Sequence, residues 1–216
     1  MTVPIEKNLV SILIINGSVR GADGNSGAIA RKAAQYCKER TIGCSTLTLA
    51  GPLPDVAEVA GLVSQHHAFL ILSGVYWNSC GSPLQRFIEV MTAYENSPAF
   101  FGKPVACAVS MDSVGGSDVA NRLHGVFNGF GCWSPPCSTL IISRTATEAI
   151  AASNGKTDDP NEDVWRLDDL EIVMDNLVIA SGMKAAWKQW SFSPLKAVAG
   201  PWPATGSLYP DANRFV

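Results

Sequence analysis

No stretch of this chain is apolar for long enough to cross a bilayer, and the opening residues, MTVPIEKN, contain no apolar segment of signal-peptide length. The expectation is a cytoplasmic protein that does not associate with membranes. Charge is scarce: 16% of the residues are charged, and the formal net charge is -3. So mild a balance argues against nucleic acid as a partner, which calls for a basic surface. It also lacks the strong acidity that steers a dedicated electron carrier to basic partners. Six cysteines are present, but no four-cysteine cluster, and Cys132 and Cys137 are separated by WSPP, which is neither zinc nor redox spacing. The thiols therefore read as small core residues. His66 and His67 fall at a helix end with no third ligand in view, so no metal is expected. Two phosphate-binding signatures are missing as well. Gly17 is followed two positions later by Val19, which rules out G-x-G-x-x-G, and no G-x-x-x-x-G-K-[ST] occurs. There is no internal repeat and no low-complexity block.

What is present is a chain of 216 residues, 47% hydrophobic, enough for one α/β domain with a substantial core. Leu9 to Ile15 is a β-branched apolar run of the kind buried on both faces of a sheet. Ala68 to Ser73, Val105 to Ser110 and Thr139 to Ser143 repeat that character. Cys44 to Leu49 alternates apolar and polar residues and reads as a strand nearer an edge. Helical spacing follows each strand: Ile29, Ala33, Ala34 and Cys37; a short helix opened by Asp55 and running through Ser64; Leu84, Phe87, Ile88 and Met91 with Pro83 in the first turn; Val119, Leu123, Val126 and Phe127. Residues 146–163 are polar and mixed and read as a loop or small excursion. Asp168 to Ala186 reads as a closing helix. Alternating strands and helices imply a parallel sheet covered on both faces.

Three loops that follow strands stand out. After the first strand comes Asn16-Gly17, then a run of small and turn-forming residues leading into a helix. The helix start offers free N–H groups and partial positive charge, Ser18 and Ser26 add hydroxyl donors, and Arg20 adds a charged fork. After the third strand comes Gly74-Val75-Tyr76-Trp77-Asn78-Ser79. After the fourth, which ends at Ser110, a glycine pair, Gly115-Gly116, precedes a helix. Glycine there lets another group approach the backbone closely.

The first loop, Gly-Ser-x-Arg with Asn25-Ser26 a few residues on, resembles the mononucleotide loop of the NAD(P)H-dependent FMN reductase family. The second is similar to that family's aromatic segment at Tyr76, Trp77, Ser79, Leu84, Phe87, Ile88 and Glu89. Gly74, Asn78 and Gln85 stand where the family has proline, glycine and lysine. The Gly115-Gly116 stretch is similar to its third flavin loop. The resemblance covers roughly Leu9 to Ser143.

The resemblance implies a flavodoxin-like doubly wound five-stranded parallel sheet of order 2-1-3-4-5, with FMN outside the carboxyl ends of the strands at the switch point. It implies that Ser18, Arg20, Asn25 and Ser26 hold the phosphate. Val75, Tyr76, Trp77, Asn78 and Ser79 flank the ribityl chain and one edge of the ring, and Ser110, Gly115 and Gly116 meet the other edge. It further implies NAD(P)H as co-substrate and a small acceptor such as a quinone, free flavin, an azo compound or a metal oxyanion. The flavin carries the chemistry, so no catalytic side chain is required. A flavodoxin-type electron carrier and a flavin-free structural or regulatory relative are the alternatives. Residues 1–186 form the expected FMN-binding domain. From 187 to 216 an extended tail rich in Trp, Pro and Gly follows, expected to lie on the domain or on a partner subunit. Trp187, Trp190 and Trp202 are of the type that anchors interfaces, so a homodimer or homotetramer is expected.

Overall fold

The computed structural model describes residues 10–152 and 167–191, without the side chains of 150–152. Five strands, β1 (Ser11–Asn16), β2 (Gly43–Thr48), β3 (Ala68–Gly74), β4 (Val105–Met111) and β5 (Thr139–Ser143), form one sheet in the order β2-β1-β3-β4-β5. All four neighbouring pairs are parallel. Between and after them lie α1 (Asn25–Glu39), α2 (Val56–Gln65), α3 (Ser82–Met91), α4 (Gly116–Gly129), α5 (Arg144–Ala152) and α6 (Leu170–Ser181). This is the flavodoxin-like arrangement.

The period of two along each strand sorts side chains into two cores. Leu13 and Ile15 of β1, Phe69 and Ile71 of β3 and Val105, Cys107 and Val109 of β4 face α2, α3 and α4. Ile12 and Ile14, Leu70 and Leu72, and Ala106 and Ala108 face α1 and α6. The first core holds an aromatic cluster in which Phe100 stacks on Phe130 with centroids 4.8 Å apart, and Phe127 meets Phe130 edge-on. β3 is buried along its whole length, whereas β2, at the edge, buries only Leu47.

Two expectations change. The start of the mixed stretch 146–163 is helical, as α5. Its sequence, RTATEAIAA, is rich in good helix formers. The side-chain oxygen of Ser143 accepts the Ala146 N–H at 3.2 Å, the N–H of Thr145 donates to the Asp112 carbonyl at 2.9 Å, and Arg144 pairs with Glu148 one turn on. Residues 153–163 lie outside the described part. The closing helix stops at Ser181 rather than Ala186, with Gly182 at its C-cap.

Residues 183–191 follow without helix or strand and lie, as a strap, against the segments that lead into β4 and β5. Trp187 lies against Trp133 with ring centroids 6.4 Å apart, and reaches to Gly102, where a Cβ would be 3.3 Å from its ring. Asn96 donates from Nδ2 to the Trp190 carbonyl at 3.3 Å and accepts from Gln189 Nε2 on its own carbonyl at 3.1 Å. This first part of the predicted tail lies on its own domain. Trp202 and the rest of it fall outside the described residues.

Candidate functional site

The chain leaves β1 towards β2 on one side and leaves β3 towards β4 on the other, so the topological switch point lies at the carboxyl end of the β1–β3 pair, where ligands bind in sheets of this kind. The loops after β1, β3 and β4 all end at this edge.

The first loop is shaped from within by Asn16, which is fully buried. Its Nδ2 donates to the Gly21 carbonyl at 2.9 Å and its Oδ1 accepts the Ser18 N–H at 3.2 Å. The loop is pressed close to α1: a Cβ on Gly27 would lie 2.0 Å from the Ala22 carbonyl oxygen. Arg31 donates to that same oxygen at 2.7 Å. α1 begins after Gly24, an extended N-cap residue with no side chain to cap the helix. Its first N–H groups are therefore left to an outside acceptor. Ser18 and Ser26 are buried here, Arg20 and Asn25 are exposed, and the Ser26 hydroxyl is buried without a hydrogen-bond partner.

The second loop is a tight hairpin. The N–H of Tyr76 donates to the Ser79 carbonyl and the N–H of Ser79 to the Tyr76 carbonyl, each at 2.9 Å. Between them Trp77 and Asn78 adopt φ of +47° and +57°. This is the primed two-residue turn, which favours Asn and Gly and is unfavourable for a bulky side chain. Trp77 stands wholly in solvent at 103% relative exposure, and Tyr76 is partly exposed. At the base of the loop the Ser73 hydroxyl accepts the Gly81 N–H at 3.0 Å.

The second and third loops touch. Val75 donates its N–H to the Ser110 carbonyl at 2.9 Å, and Ser110 is buried beside Gly74 in the β3–β4 register. Gly115 has φ of +88° and caps α4. A Cβ there would lie 2.4 Å from Asn78 Oδ1 and 3.1 Å from Val75 Cγ1. At Gly116 a Cβ would lie 2.5 Å from Ile141 Cγ2 and 2.9 Å from Met111 Sδ. What these two glycines admit in the structure is thus the neighbouring loop and the core. Arg144 donates to the Asp112 carboxylate and holds its pKa below the usual value.

Of the residues expected at the site, Ser18 and Arg20 lie on the loop after β1, Asn25 and Ser26 in the first turn of α1, Val75 to Ser79 on the loop after β3, Ser110 near the end of β4, and Gly115 and Gly116 at the start of α4, all at the carboxyl edge of the sheet. The residues missed in the sequence are those that shape these loops from behind. Asn16 reads in the sequence only as the point where the first strand stops, although an asparagine closing a buried apolar run and followed by glycine is a usable signal. Arg122 of α4 donates to Ser79 Oγ at 3.3 Å and to Gln85 Oε1 at 3.5 Å, and no local pattern marks it. His124 lies away from this edge, with Nδ1 2.6 Å from Ser134 Oγ and Nε2 2.8 Å from Thr139 Oγ1 at the start of β5. Burial pushes its pKa down. His66, at the end of α2, packs on the Leu62 carbonyl at 2.7 Å. Among the described residues no three His, Cys, Asp or Glu side chains gather as metal ligands, and no helix is long and apolar enough to cross a membrane. All six cysteines are free thiols.

The sheet order and the anion-ready loop at its switch point define a flavodoxin-like α/β protein. The chain belongs to the NADPH-dependent FMN reductase family, whose pattern it matches over residues 10–147. That family consists of FMN-dependent oxidoreductases. No curated protein matches the chain. Solved structures share the fold at low identity. RosB with bound 8-demethyl-8-formylriboflavin-5'-phosphate superposes with a TM-score of 0.64 at 12% identity, over 80% of this chain and 79% of that one. The apo form of the NADH:FMN oxidoreductase EMOB gives 0.58 at 12% identity, over 80% and 88%. General stress protein 14 from Treponema denticola, in complex with FMN, gives 0.54 at 15% identity, over 78% and 99%.

The first loop suits the phosphate end of FMN. A phosphate offers only acceptor oxygens at full ionisation, and the uncapped N–H groups of α1 and the orphaned Ser26 hydroxyl are donors without acceptors.

Proposed function

We propose that the protein holds FMN along the carboxyl edge of the sheet and uses it to pass hydride from NAD(P)H to a small acceptor. The observation that carries this reading is the buried, unpartnered Ser26 hydroxyl at the uncapped start of α1, beside the β1–β3 switch point. Ser18 and Ser26, with the first N–H groups of α1, bind the phosphate, and Arg20 and Asn25 close over it from the solvent side. Val75, Tyr76, Trp77, Asn78 and Ser79 form one wall for the ribityl chain and the ring, and Ser110, Gly115 and Gly116 form the other. Bound FMN supplies hydride acceptance and electron donation; the protein orients it and shields it. The acceptor is a quinone, free flavin, an azo compound or a metal oxyanion.

The FMN-binding domain is taken as residues 1–186, with 187–216 as an appended tail. The exposed apolar side chains Ile172, Ile179, Met183 and Trp190 support assembly into a homodimer or homotetramer. A cytoplasmic location accords with six cysteines that are all free thiols.

The test is direct. The purified protein should be yellow, release FMN on denaturation, and oxidise NADPH or NADH in the presence of a quinone. Bound flavin without turnover would favour the electron carrier. Protein that neither contains nor takes up FMN would overturn the reading.

A further inference from the structure

The hairpin that carries Trp77 is held in an unfavourable shape, and what holds it comes from α4. Two consecutive non-glycine residues in the left-handed region disfavour this turn in a free peptide. The two hydrogen bonds between Tyr76 and Ser79 close the hairpin, but a two-residue turn with an indole in solvent has little else to hold it. α4 reaches it at two points. Its N-cap, Gly115, has no side chain and lets Asn78 settle against the backbone. Further along the helix, the Arg122 guanidinium spans from Ser79 Oγ to Gln85 Oε1 of α3, crossing the foot of the hairpin. Gln85 is itself fixed by donating from Nε2 to Glu89 at 3.0 Å.

We infer that Arg122 is a positioning residue: by tying Ser79 to α3 it fixes the Tyr76–Ser79 hairpin and so the placing of Trp77 at the mouth of the site. An arginine suits this task because its fork can donate to two acceptors on different elements at once, which a lysine's single ammonium does less well. The inference concerns the shape of the hairpin in the flavin-free chain. Only its effect on ligand binding rests on the proposed FMN site.

The test compares amide hydrogen exchange in flavin-free wild type, Arg122→Met, Ser79→Ala and the double variant. Methionine keeps the length of the stem and removes the donors. Losing a hydrogen bond to a charged group is expected to speed exchange at the Tyr76 and Ser79 amides by about tenfold. The double variant should be no faster than either single one, since both remove the same contact. Protection in the rest of α3 and α4, and the melting temperature, should stay as in the wild type. Unchanged exchange at Tyr76 and Ser79 in Arg122→Met would overturn the inference. So would multiplied effects in the double variant, or a loss of protection spread evenly over α3 and α4. A second measurement adds the ligand. Arg122→Met should weaken FMN and riboflavin by the same factor, because it leaves the phosphate loop untouched; loss confined to FMN would count against a role in the hairpin. If no variant, wild type included, binds either flavin, the FMN reading fails while the exchange data still decide the role of Arg122.

Discussion

Gly17 and Gly81 meet backbone to backbone: a Cβ on Gly81 would sit 2.4 Å from the Gly17 carbonyl oxygen. The first residue after β1 is thereby locked to the N-cap of α3, and a Cβ on Gly17 would in turn lie 2.3 Å from Leu84 Cβ. Gly81 has φ of -60°, a conformation that any residue adopts, so its lack of a side chain serves this contact alone. Gly81→Ala should force the two loops apart, lowering the unfolding free energy by about 1–3 kcal/mol and weakening FMN. Urea unfolding and FMN titration of the same variant check both. An alanine variant as stable as the wild type would show that the loops can separate freely.

Ser26→Ala should move two quantities in opposite directions. A buried hydroxyl without a partner costs about 1–3 kcal/mol, so its removal should stabilise the flavin-free protein. FMN affinity should fall, because the phosphate loses a donor. Melting curves with and without FMN resolve the two effects. A variant that is less stable and still binds FMN normally would mean that the hydroxyl serves the fold.

Arg20→Ala should weaken FMN by about one to two decades while leaving the affinity for riboflavin near that of the wild type. The side chain is exposed in the loop proposed to hold the phosphate, so the fold should not depend on it. Equal losses for both ligands would place Arg20 away from the phosphate.

Trp77→Asn should raise the unfolding free energy by about 1 kcal/mol, since asparagine tolerates the left-handed region that tryptophan resists. In the same variant the KM for NAD(P)H or for the acceptor should rise if the indole forms part of the wall. Chemical denaturation and steady-state kinetics provide the two readings. No gain in stability would mean that the turn is relaxed as it stands.

Stability should fall as pH drops below about 6.5, the ordinary value for histidine. Burial lowers the pKa of both His124 and His66 in the folded chain. In the window between 6.5 and those lowered values the unfolded state binds more protons than the folded one, so acidification favours unfolding. The free energy of unfolding measured across pH 5 to 8 should therefore decline towards acid, and His124→Gln should flatten part of that decline. An unaltered slope in the variant would assign the effect elsewhere.

The strands were legible because both faces of a parallel sheet are buried, whereas their order came only with the family resemblance. β1, β3, β4 and β5 announce themselves as apolar runs, and β2 betrays its edge position by alternation. The three loops were legible because small and aromatic residues punctuate the ends of those runs. Less was legible where a residue answers to a distant part of the chain. Gly115 and Gly116 read as places of close approach, but that Asn78 and Ile141 are among the groups they meet has no local signal. The close approach of Gly17 to Gly81 and the reach of Arg122 to Ser79 are tertiary facts with no local pattern. Composition marks an aromatic tail after 187 but not where it rests, since Trp187 finds Trp133 only once β4 and the segment before β5 are side by side.

Because the Trp77 side chain rests on nothing else among the described residues, none of them constrains what stands at that position. Most substitutions elsewhere around the site disturb a packed contact and are weeded out through misfolding. At the hairpin tip that filter is weak, and asparagine or glycine would suit the backbone better. Packing among the described residues gives no reason for a tryptophan there, so its use lies with what meets it from outside. The tip is accordingly where a lineage descended from this chain could change its taste in molecules at the least risk to the scaffold.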